Sequence, residues 1–156
     1  AEDEEPETIQ MFLNRPFLCQ VLPTRPLLAI WNPTWFQPGR RGDAVALEEL
    51  SHFPLVLYRR WERLVEEAFQ RRGLTPRVRV WGDSARTSLV LAQGGLGVAL
   101  APDSMEGAAR EWGLDACPVD EPSLSSGIAL VQNENGCDTA AGRAFWDYFQ
   151  TIVQGP

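Results

Sequence analysis

The chain has 156 residues, is 44% hydrophobic and 22% charged, and carries a formal net charge of −7. That length makes one large domain or two small lobes, with the composition of an ordinary globular protein. The acidic balance argues against the chain gripping nucleic acid by itself, because such binding rests on Lys and Arg neutralising phosphates. No apolar run approaches the roughly 20 residues of a membrane span, and no signal-peptide pattern is visible.

Residues 1–7, AEDEEPE, read as a solvated, frayed start. The chain then turns apolar at Met11, Phe12 and Leu13, again over 17–22, and again over 27–31. Pro16, Pro23 and Pro26 break this into short extended pieces. LLAIW (27–31) reads as a buried strand. NPTWFQPGRRG (32–42) is a loop by its Pro, Gly and Asn content. Trp35 and Phe36 inside it read either as packing beneath the loop or as a contact surface. Residues 46–50 give one short helical turn, and PLVLY (54–58) gives a strand. RRWERLVEEAFQRR (59–72) is an amphipathic helix. Its Trp61, Leu64, Val65, Ala68 and Phe69 recur at i, i+3, i+4, i+7 and i+8, and Gly73 ends it. PRVRVW (76–81) alternates and reads as a strand.

The stretch DSARTSLVLAQGGLGVALAP (83–102) organises the rest. Asp83 or Ser84 caps a helix, since a short side-chain oxygen can accept from its free first-turn N–H groups. Leu89, Val90, Leu91 and Ala92 carry its apolar surface, and Gly94 and Gly95 end it. Residues 96–101 are almost wholly apolar, so both faces of that strand should be covered. Pro102 stops it. Residues 103–113 form a polar connection with one helical turn. Two strands follow, 114–119 and 127–131, separated by a Pro/Ser loop at 120–126. NENG (133–136) is a turn, and Asp138 caps a last helix over 139–153. Phe145, Tyr148, Phe149, Ile152 and Val153 are its expected buried face. The alternation of strand and helix from 54 to 101 predicts an α/β fold with a mixed, largely parallel sheet.

Two places can carry chemistry. Tyr58, Arg59, Arg60 and Trp61 lie where a strand ends and a helix begins, the kind of edge where α/β sheets collect ligands. A helix start offers free N–H groups and partial positive charge to an anion, and two arginines can hold a carboxylate bidentately. The bland alternative leaves both arginines solvated and Trp61 in the core. Gly82, Asp83 and Ser84 form a second such junction, with plain helix capping as the alternative. Parallel strands would bring both junctions to one edge. The glycine run 94–97 matches no phosphate loop. His52 is the one histidine, and GxSxG, CxxC and HExxH are absent. No catalytic residue, metal or cofactor is expected, and the chain is read as a non-enzyme. Cys19, Cys117 and Cys137 read as unpaired thiols of a reducing cytoplasm.

The strand PLVLY, the helix end FQRRGLTPRVRV and then DSARTSLVLAQGGLGVALAPDSM resemble the effector-binding domain of LysR-type transcriptional regulators. The last stretch is similar to that family's helix followed by G-L-G, three apolar residues and Pro. The resemblance implies a two-lobed domain like the type 2 periplasmic binding proteins, with a metabolite site in the cleft between lobes. It implies lobe I remnants at 1–26, lobe II over 27–128, and the return crossing and C-terminal helix of lobe I at 129–156. Tyr58, Arg59, Arg60, Trp61, Asp83 and Ser84 would face the ligand, a small anionic effector. The family's helix-turn-helix is missing here, so DNA would be reached only through that absent domain. Uncovered apolar surface would favour a homo-oligomer; no membrane partner is implied. An extracytoplasmic solute-binding protein of the same architecture is the alternative.

Overall fold

The computed structural model describes residues 17–133 and 139–154. The expected frayed start, Met11, Phe12, Leu13, Cys137, the cap at Asp138 and most of the NENG turn lie outside them. In chain order the elements are β1 (Phe17–Val21), β2 (Arg25–Pro26), β3 (Leu28–Trp31), α1 (Leu47–Leu50) and β4 (Leu55–Tyr58). A 3-10 turn (Arg59–Trp61) leads into α2 (Glu62–Arg71), then β5 (Val78–Gly82), α3 (Ala85–Gln93) and β6 (Val98–Ala101). A second 3-10 turn (Asp103–Met105) opens α4 (Glu106–Glu111), followed by β7 (Asp115–Pro118), β8 (Ser125–Ser126), β9 (Ala129–Asn133) and α5 (Ala140–Gln154). The chain divides into two compact units, residues 25–126 and the two flanking segments.

The larger unit is built on a five-stranded sheet of order β5-β4-β6-β3-β7. β4 runs parallel to both β5 and β6, and β3 runs antiparallel to β6 and β7, so the sheet is mixed. Every residue of β3 and β6 is buried, and successive residues alternate between two cores, as the two-residue strand period requires. Ala29, Trp31, Leu55, Leu57, Val98 and Leu100 join α1 and α2 through Leu47, Leu50, Val65, Ala68 and Phe69. Leu28, Ile30, Val56, Ala99 and Ala101 join α3 and α4 through Leu89, Ala92 and Ala109. Helices thus cover both faces. On α3 the apolar surface is narrower than expected: Leu89 and Ala92 are buried but Val90 is exposed, because it lies off the stripe facing the sheet. The 103–113 stretch holds more helix than one turn, namely α4.

Arg72, just past α2, ties three segments together. Its Nε donates to Glu121 at 2.6 Å and its Nη1 to Glu48 at 3.3 Å. Burial pushes the Glu121 carboxyl up, but the Ser123 hydroxyl and N–H and the Arg72 guanidinium outweigh this and hold it below its ordinary 4.5. A depressed folded-state pKa gives stability that is present above the unfolded value and lost as pH falls through the lower folded one. Arg72→Ala is therefore expected to cost about 1–2 kcal/mol at pH 7. The deficit should shrink as urea melts are repeated below pH 4.5. A deficit that does not change with pH would assign the loss to packing of the arginine stem.

In the smaller unit β1 pairs antiparallel with β9, Phe17 opposite Asn133 and Val21 opposite Ala129. α5 is capped by the Thr139 hydroxyl, which accepts from the Gly142 N–H at 3.0 Å. The expected buried face of this helix is corrected: Phe145, Tyr148 and Ile152 are each more than half exposed. Phe149 and Val153 are half-buried. An apolar stripe is buried only where something packs on it, and the described part of this unit offers a two-stranded sheet, too small a surface for a fifteen-residue helix.

Candidate functional site

β4 and β5 are adjacent and parallel, with Tyr58 opposite Gly82. Both strand-to-helix junctions named from the sequence therefore lie side by side on one edge of the sheet. β6 is parallel to β4 on its other side, so Pro102 and Asp103 leave the sheet at this edge too.

At the first junction the 3-10 turn over Arg59, Arg60 and Trp61 has no side-chain cap. Its first N–H groups are left to solvent or a ligand. Arg59 and Arg60 are exposed, and neither bonds to a described side chain or carbonyl. Trp61 follows the bland alternative: it is half-buried, packs on the core around Phe69 and meets the Tyr58 ring edge-on at 5.4 Å. The exposed Arg59 and Arg60, without described partners, likewise match the solvated alternative.

The second junction is more committed. Ser84 Oγ caps α3 by accepting the Thr87 N–H at 3.1 Å, and lies 3.0 Å from Thr87 Oγ1. Thr87 Oγ1 donates to Asp83 Oδ1 at 2.9 Å. Capping thus occupies Ser84, and Asp83 braces the same turn. Thr87 is a further residue of this junction, and a hydroxyl three residues after a Ser cap is the sequence signal that marks it. Asp83 keeps its second carboxylate oxygen free of any described partner. An ion pair shares the edge: Arg25 Nε meets Asp103 Oδ2 at 3.2 Å.

Two concavities open elsewhere on this unit. One, of about 300 Å³, lies along α2 and β5 beside Glu66, Gln70 and Trp81. The other, of about 260 Å³, lies beside Arg40, Arg41, Glu48 and His52. There Glu48 is held by Arg72, and Glu49 accepts the Gly39 N–H at 2.7 Å. Neither includes the six junction residues. Trp35 is 62% exposed, whereas Phe36 packs edge-on against Phe53 at 6.1 Å; the two loop aromatics thus divide between surface and packing. Burial pushes the Cys117 thiol up, which keeps it protonated and unreactive. No group of metal-ligating side chains occurs among the described residues, and no described helix is long and apolar enough to cross a membrane.

A family model described as LysR substrate binding domain matches residues 12–153. No curated protein sequence matches the chain. Among solved structures, the regulatory domain of CcmR from Synechocystis PCC6803, in complex with 2-PG, is similar. Its TM-score is 0.72 at 16% identity, over 97% of this chain and 71% of that one. The LysR family transcriptional regulator CbnR gives 0.70 at 15% identity, over 88% of this chain. The effector binding domain of QuiR, in complex with shikimate, gives 0.66 at 15%, over 87% of this chain. The chain spans 66% of the QuiR domain and 48% of CbnR.

Proposed function

The chain belongs to the LysR substrate-binding-domain family, and from that premise we propose that it is the effector-sensing part of a transcriptional regulator. Its ligand is a small anion, taken at the sheet edge by Arg59 and Arg60 with the open N–H groups of their turn. Tyr58 and Trp61 orient that turn, and Asp83 and Ser84 brace the adjoining one. The observation that supports this is the parallel pairing of Tyr58 with Gly82. It sets two arginines without described partners beside a second helix start, where charge and dipole both favour an anion.

DNA is contacted by another part of the whole regulator, in keeping with the net charge of −7. The module senses and does no chemistry of its own. It works in the cytoplasm as a homo-oligomer; exposed Phe145, Tyr148 and Ile152 supply apolar surface for association. Family membership favours this over the solute-binding alternative.

Small acids that raise the melting temperature identify ligands, because a ligand that binds only the folded state stabilises it. Calorimetry on the unaltered chain, Arg59→Ala and Arg60→Ala then tests the site. Each variant is expected to bind about 10-fold or more weakly, the scale of a lost charge-assisted hydrogen bond. Equal affinity in all three removes the arginines from the site.

A further inference from the structure

We propose that the cavity of about 300 Å³ between α2 and β5 is a second ligand site, and that it takes a small alkylguanidinium. Glu66 holds the charged head and Trp81 carries its flat face. None of the six junction residues lines this cavity, so the cation here and the anion proposed above occupy separate places.

Three consecutive pieces of chain build the walls. Glu66 and Gln70 lie four residues apart on α2 and so share one face of it. Leu74 and Thr75 come from the loop that follows, and Val78 and Trp81 from β5. β5 is the outermost strand of its sheet, so no further described strand covers this flank. The result is an apolar floor with a few polar groups above it, the usual make-up of a small-molecule site and at the small end of their volumes.

The polar groups are uncommitted and of one kind. No described group bonds to the side chains of Glu66, Gln70 or Thr75, and all three can accept hydrogen bonds. Glu66 is half-buried. The cation one turn before it, Arg63, is drawn instead to Glu67 at 2.8 Å. A carboxylate partly removed from water without a described counter-charge favours a cation from outside. The net charge of −7 draws cations in the same direction. A guanidinium suits these walls better than an ammonium: its planar fork bonds a carboxylate bidentately, and it stacks on an indole. Leu74 and Val78 then meet the alkyl stem.

Butylguanidinium and butylurea share size and N–H donors and differ in charge. By calorimetry at low ionic strength, butylguanidinium is expected to bind the intact chain about 10-fold more tightly. That preference should shrink in about 1 M salt, which screens charge beyond about 3 Å. Glu66→Gln should erase it, with an unchanged melting temperature as the folding control. Trp81→Leu should weaken the cation about 3-fold more than it weakens butylurea. Equal affinity for the two compounds, no binding of butylguanidinium at millimolar concentration, or a preference kept in Glu66→Gln overturns the inference.

Discussion

Replacing Gly97 by alanine is expected to lower stability by about 3 kcal/mol, a large effect for one added methyl group. A Cβ at this position would stand 2.6 Å from the Pro54 carbonyl oxygen and 3.0 Å from its carbon. Both are backbone atoms, so no rotamer change relieves the overlap. The same Pro54 oxygen accepts the Val98 N–H at 2.8 Å, beside the Leu55–Val98 pairing of β4 with β6. Relief therefore means pushing apart two central strands, one of which ends at the candidate site. Gly107→Ala is the control, because nothing lies within 4 Å of that position and alanine favours its helix by about 1 kcal/mol. Urea midpoints for the two variants should move in opposite directions. If Gly97→Ala melts with the original chain, the strands can separate at low cost and the sheet edge is softer than described.

Gly97 also shows what the sequence conceals. The run Gly94 to Gly97 is legible as a helix end followed by a strand, and half of it acts that way. Gly95 adopts φ +79, with the Leu96 N–H returning to the Leu91 carbonyl at 3.1 Å, a glycine C-cap. Gly97 serves the close approach of a strand 43 positions earlier, which no local pattern encodes. Helix ends were legible wherever a glycine preceded a leucine: Gly73-Leu74 and Gly95-Leu96 closed two expected helices. Gly113-Leu114 closes α4 in the same way, with Leu114 N–H to Ala109 carbonyl at 2.9 Å. The signal was present, but the polar residues 103–112 lack a wide apolar stripe, and Ala109 is the helix's one buried residue. The reverse failure occurs on α5, where periodicity is strong but Phe145, Tyr148 and Ile152 stay exposed. Hydrophobic period reports what a helix could bury, and packing partners decide what it does bury. At the site, the neighbouring junctions followed from strand order alone. The Arg25–Asp103 contact did not, since it joins residues 78 positions apart.

Phe69→Ala is expected to cost about 3–5 kcal/mol, the range for emptying a fully buried aromatic site. The side chain has no exposed surface and lies among Leu55, Leu57, Val65 and Leu100. α2 has ten residues, a length that is marginal in water without tertiary packing. Its hold on the sheet therefore rests on Val65, Ala68 and Phe69, all fully buried. The Phe69 carbonyl also closes the far end of the helix, accepting from Arg72 and Leu74 N–H groups at 3.0 and 2.9 Å. The opposite end carries Arg59 and Arg60, so a loosened α2 loses their alignment with β5. Phe69→Leu refills most of the volume and should cost about 1 kcal/mol, as volume-conserving apolar exchanges do. Hydrogen exchange then separates the contributions. In Phe69→Ala the amides of α2 should open well before those of β6, and acid binding should weaken in step. Uniform acceleration across the unit would instead mean that α2 unfolds only with the whole sheet, and that the arginines at its start keep their geometry until the domain melts.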